Sequence, residues 1–123
     1  MSRASTLQWI GLFVAPFAWF AQHLIGQAAS QASCSTANTV WGLSNTAWQI
    51  TLLAVSGTLI LLSEAAAVVA FLQTRTDEHY ESPPPVGRIQ LISIATMCTN
   101  FLFLVIVLLD GVASIIDIAC RQS

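Results

Sequence analysis

The chain has 123 residues, enough for one domain and no more. Hydrophobic residues make up 55% of it and charged residues 8%, against about 25% charged in a typical soluble domain. The net charge is −2 and lysine is absent, so there is no basic patch to neutralise a phosphate backbone and nucleic-acid binding is excluded as a partner class.

The first apolar run covers residues 7–27 and carries no formal charge. The second covers 47–73 and contains Glu64; the third covers 89–116 and contains Asp110. About 20 helical residues cross a hydrocarbon core of about 30 Å, so each run is long enough. Lipid does not hydrogen-bond the backbone, so the runs must be helices, and no strand-like alternation points to a barrel. The expected fold is therefore all-α: a single transmembrane domain built as a bundle of three helices, with the lipid bilayer as its main solvent. In a competing reading the first run is a cleaved signal peptide with Arg3 as its charged region. The run is longer than the usual hydrophobic region of such peptides, and Pro16 and His23 sit oddly inside it.

The intervening segments read as loops. The first, from Ser30 to Asn45, is rich in Ser, Asn, Thr and Gln, and Thr46-Ala-Trp-Gln49 fits a capping box at the start of the second helix. The second holds Ser82 and three consecutive prolines, which no helix continues through. Three spans put the amino terminus and the second loop on one side, with Arg3, Arg75 and Arg88; the other side has only Arg121. The positive-inside rule then puts the amino terminus in the cytoplasm and the carboxyl terminus outside.

That topology sends Cys34 and Cys120 to the same outer, oxidising face, where a disulfide between them is expected. Cys98, inside the third span, is expected to be a small buried apolar residue. Glu64 lies about 16 Å along its helix from Arg75, near the membrane midplane. An ionised carboxylate costs several kcal/mol there unless paired, so Glu64 is either a proton or cation site or a neutral acid bonded to a neighbour; with no basic residue in the spans, the structural reading comes first. Thr96, Thr99, Asp110 and Asp117 suggest a polar stripe facing protein. His23 in the outer third of the first span is a candidate partner for Asp110.

The remaining signals concern packing. Pro16 should kink the first helix and release a carbonyl near Leu12. Gly11, Ala15 and Ala18 form a small-residue face suited to close helix contact. Trp9, Trp41 and Trp48 suit the membrane interface, with Trp19 deeper. No nucleophile–base pair, phosphate loop or metal-ligand spacing stands out, so no catalytic residues and no metal site are expected. Haem held by two histidines is not expected within the chain, because His79 belongs to the loop on the opposite side from His23.

The segment Gly11-Leu-Phe-Val-Ala-Pro16-Phe-Ala-Trp19 with Cys34 after it, and Gly87-Arg88 followed by Gly111 and Cys120, resembles a group of small bacterial membrane proteins encoded beside haem-copper cytochrome oxidases. Asp110 and Asp117 depart from the more apolar outer end of that pattern. The resemblance implies a multi-pass protein of the bacterial inner membrane. It also implies a non-catalytic accessory or assembly role in a respiratory complex, whose haem and copper would belong to partner subunits. The alternative is a small homo-oligomeric transporter or proton channel using Glu64. Small multidrug carriers also use a membrane Glu, but they have four spans with that residue in the first.

Overall fold

The computed structural model describes residues 3–32, 41–75 and 85–116. Among these, the chain forms three long helices, α1 (Arg3–Ala32), α2 (Asn45–Arg75) and α3 (Pro85–Ile116). Each contains a stretch long and apolar enough to cross a membrane: Ser5–Ala32, Asn45–Arg75 and Gly87–Ile116. At 1.5 Å per residue each helix is about 45 Å long, so it outreaches a hydrocarbon core of about 30 Å at both ends.

The helices pack side by side in an up-down-up bundle, with α2 in contact with both neighbours and the α1–α3 contact lighter. Apart from Ile60 and Val107, which close on Ala15 and Ala18, what they bury is small or polar, and what they expose is large and apolar. The interior holds Ala15, Ala18, Ala66, Ala67 and Ala70 together with Gln22, Gln49, Ser56, Ser63, Ser93, Thr96 and Asn100. Phe13, Phe17, Leu61, Leu62, Leu91, Phe101 and Leu109 face outward. In water this arrangement would have no driving force. In lipid, tails solvate the large side chains as well as the protein does, and helices associate through close backbone approach and polar contacts.

Of the buried positions on α2, 49, 56, 60, 63, 67, 70 and 74 alternate steps of three and four once Leu53, packed against the core, is included, with Ala66 buried beside Ala67. That is the 3.5-residue period of left-handed helix packing. Gly11, Ala15 and Ala18 on α1 are buried, as the small-residue face implies. A Cβ on Gly11 would meet Ala67 Cβ and the Ser63 carbonyl oxygen at 3.2 Å, so only glycine lets α1 approach α2 this closely. α1 is continuous through Pro16. Proline offers no N–H to Leu12, yet the carbonyl that receives side-chain donors from other helices is that of Gly11, one residue earlier.

Several local expectations are corrected. The cap of α2 is Ser44, whose hydroxyl accepts from Ala47 N at 3.3 Å, and not the box starting at Thr46; Gln49 is turned inward instead. Cys98 is exposed on the outer side of α3, on the face that carries Leu91, Ile94, Phe101, Leu102 and Val105. Thr99 is likewise exposed and donates to Ala95 O of its own helix at 2.8 Å. The buried polar stripe of α3 is Ser93, Thr96 and Asn100, one turn apart, continued by Val107. Asp110 is half-exposed beside it. Asp117 and the Cys34–Cys120 pair lie outside the described residues. Trp9 is exposed and stacked on Phe13, and Trp41 packs on Trp48 at the start of α2. Trp19 leans on Phe103 and packs against the core.

Candidate functional site

The polar interior is layered along the bundle axis. Nearest the first loop, Gln49 Nε2 donates to Gly26 O at 3.1 Å and to Ser30 Oγ at 3.0 Å, joining α2 to α1. Two turns further along α2, the Ser56 hydroxyl donates to Gln22 Oε1. At the opposite end, Gln90 Nε2 of α3 donates to the Thr74 carbonyl near the end of α2, supplying one of the carbonyls that a helix end leaves open.

Between these layers lies a node shared by all three helices. The Ser63 hydroxyl donates to Gly11 O at 2.7 Å, and Asn100 Nδ2 donates to the same carbonyl and to Ser63 Oγ, both at 3.1 Å. The glycine makes this possible twice over: it admits α2 to close range and leaves its carbonyl uncovered. The Asn100 amide also reaches the carboxyl of Glu64, the neighbour of Ser63. Glu64 Oε2 and Asn100 Oδ1 are both buried with no hydrogen-bond partner, and the same holds for Ser93 Oγ and Thr96 Oγ1 on the same face of α3.

Glu64 and Asp110, the two acids of the spans, are thus kept apart. Asp110 pairs with His23: Nδ1 and Oδ2 are 3.6 Å apart, with the two side chains 45% and 35% exposed. His23 also stacks on Trp19, ring centroids 6.0 Å apart. The pair bridges α1 and α3 on the flank of the bundle toward the first-loop end. Among the described residues, no three His, Cys, Asp or Glu side chains converge on a point where a metal ion could be held.

Sequence reasoning singled out Glu64, His23 and Asp110 but passed over Asn100, Gln22 and Ser63. Asn100 is the one asparagine of the third apolar run. An amide cannot satisfy both its donors and its acceptor on its own helix, so an amide deep in a span is a stronger sign of an inward face than a threonine is. No protein-family model, characterised protein or solved structure matches this chain.

Proposed function

We propose that this chain is a non-catalytic accessory or assembly subunit of a larger respiratory membrane complex, a terminal cytochrome oxidase in a bacterial inner membrane. The observation that carries the need for a partner is the half-exposed His23–Asp110 pair. His23 lies about 7 Å beyond the middle of its span and Asp110 about 13 Å beyond the middle of its own, both inside a half-thickness of about 15 Å. The neighbouring outward residues are Phe20, Leu24, Leu108 and Leu109. Ionisable side chains at that depth are costly against lipid and pair with protein or with a hydrated cavity. A helix of another subunit laid along the α1–α3 flank covers them. The assignment to an oxidase, whose haem and copper sit in the partner subunits, is supported by the resemblance carried by Gly11 to Trp19 and by Gly87-Arg88 with Gly111.

The test is extraction in mild detergent followed by absorbance spectra and mass spectrometry of what co-purifies. The expected outcome is co-elution with a haem protein, weakened by His23→Leu combined with Asp110→Leu in a chain that still inserts. Purification alone and haem-free overturns the reading. A second reading, a small homo-oligomeric proton or cation carrier, is favoured by one observation: the unpartnered oxygen of Glu64 inside the bundle. It requires a haem-free oligomer whose flux is lost in Glu64→Gln.

The orientation belongs to the same proposal: amino terminus and second loop in the cytoplasm, first loop and carboxyl terminus outside, with Cys34 and Cys120 joined there. In a background without native cysteines, a Cys at Thr39 should react with a membrane-impermeant thiol reagent in intact cells and one at Glu81 should not; the reverse pattern inverts the model. Non-reducing peptide mapping of the unmodified chain should give a linked Cys34–Cys120 peptide with Cys98 free. Separate alkylated Cys34 and Cys120 peptides refute the bond.

A further inference from the structure

Among the described residues, the bundle holds hydroxyls of three kinds. Thr51, Thr58 and Thr99, on the outer surface, each donate to the carbonyl one turn back in their own helix, at 2.8, 2.7 and 2.8 Å. Ser63 and Ser56, inside, donate to α1, and buried Thr74 donates to its own helix. Ser93 and Thr96 do neither. They are 0% and 1% exposed, and their hydroxyl oxygens have no partner. A helical hydroxyl always has a carbonyl one turn back within reach, so two buried ones that leave it unused are turned toward something else.

Their neighbours share the condition. One turn beyond Thr96 is Asn100, whose Oδ1 is buried and unpartnered, and its amide reaches Glu64 on α2, whose Oε2 is buried and unpartnered too. Four orphaned oxygens on one seam are far from ordinary, because nearly all buried polar atoms are satisfied by protein, water or an ion. They are also ordered. Ser93 is five residues past Arg88, and the row from Ser93 to Asn100 covers about 10 Å of the axis before it meets Glu64.

We propose that Ser93 and Thr96 form a hydrogen-bonding file that, by way of water, carries protons to Glu64 from the end of the bundle bearing Arg75 and Arg88, with Asn100 holding the protonated acid. Hydroxyls both donate and accept, so Ser93 and Thr96 can pass a proton by way of water, and the carboxyl at the end can hold it. When Glu64 is protonated, its Oε2–H donates to Asn100 Oδ1, and one proton satisfies two orphaned oxygens. When the proton leaves, it returns along the same file, and one Asn100 N–H can turn from Ser63 Oγ to the carboxylate that the amide already reaches. Other charges are distant. α1 presents Gly11 and Ala15 at this level, and α3 presents Thr96 and Asn100, none of them titratable. Arg75 is about 16 Å along the same helix, Arg88 is at that same end, and the thiol of Cys98 is on the outer surface. His23 and Asp110 are at the opposite end. The file rests on the second reading above, proton binding at Glu64, and works the same way whichever complex the chain joins.

Infrared difference spectroscopy of the full chain in lipid vesicles tests it. The wild type should show the carbonyl stretch of a protonated carboxylic acid near neutral pH, absent in Glu64→Gln, and the band should shift on transfer to D2O as the proton exchanges. Ser93→Ala and Thr96→Val should keep the band and slow its exchange about tenfold, the effect of one lost relay bond on a rate. Thr96→Ser, which keeps the hydroxyl, should exchange like wild type, and Cys98→Ser, on the outer face of the same helix, should change nothing. If Thr96→Val does not insert, the comparison of Ser93→Ala with Cys98→Ser decides. Absence of the acid band at neutral pH overturns the proposal. So does a band that does not exchange, or one that exchanges at the same rate in every variant, or one that follows sodium concentration instead of pH.

Discussion

The α1–α2 seam and the α2–α3 seam treat their polar groups in opposite ways. Along α1–α2 the donors find acceptors across the interface: Gln49 on Gly26 and Ser30, Ser56 on Gln22, Ser63 on Gly11. Along α2–α3, Gln90 donates to Thr74 and Asn100 to Ser63, but four buried oxygens on Glu64, Ser93, Thr96 and Asn100 are left without partners. A satisfied interhelical bond in a membrane contributes about 0.6 kcal/mol on average, up to about 1.7. A buried group left unpaired costs about 1–3 kcal/mol. The first seam is therefore adhesive. The second keeps polar atoms where alanine and valine would hold the helices better, which separates what binds the bundle from what it does.

Substitutions in the two seams can break that contrast. The largest effect is expected at Gly11, where a Cβ already meets α2 at 3.2 Å. Gly11→Leu should separate α1 from α2 and remove the node's acceptor geometry, with a loss of at least about 3 kcal/mol, read as collapse of the unfolding midpoint in mixed micelles. Survival of the bundle would mean that this seam is not the adhesive one. Gln49→Leu should cost about 1–2 kcal/mol in the same assay, because the Gly26 carbonyl and Ser30 lose a donor. Ser93→Ala, in the other seam, should leave stability unchanged or raise it by up to about 1 kcal/mol, since it removes an orphaned hydroxyl; a clear loss would reveal a bond there and erase the distinction. Gly57→Ala is the smallest. Nothing lies within 4 Å of a Cβ there, and the helix should gain about a few tenths of a kcal/mol, a measure of how little backbone propensity matters beside the seams.

The three helices were legible because length and apolarity suffice to mark a span: a run of about 20 such residues has few alternatives. The faces were harder. Thr96 and Thr99 look alike in sequence, yet Thr96 is buried and Thr99 is outside, bonded to its own Ala95. In lipid a hydroxyl can satisfy itself on its own helix, so it says little about direction. The amides Gln22, Gln49 and Asn100 have no such escape, and all three are buried. Cys98 was misplaced for a related reason: its modest polarity is compatible with either environment. Glu64 was identified by its depth alone, but its neighbours were not, because Asn100 lies 36 positions away and only tertiary packing brings it near. The cap on α2 went to Ser44 over Thr46 because Gln49, the other half of the expected box, is drawn into the α1 interface.

The single carbonyl of Gly11 also sets an order in biogenesis. The first two helices emerge from the ribosome together and can close on each other through Ser63 before the third exists. Asn100 arrives last and takes its place on an acceptor already engaged. A chain stopped after Arg75 should therefore insert as a helical hairpin with its early contact made. The quality-control machinery of the membrane would then meet an exposed Glu64 in every copy whose third helix fails to dock, a mark by which unfinished molecules differ from finished ones.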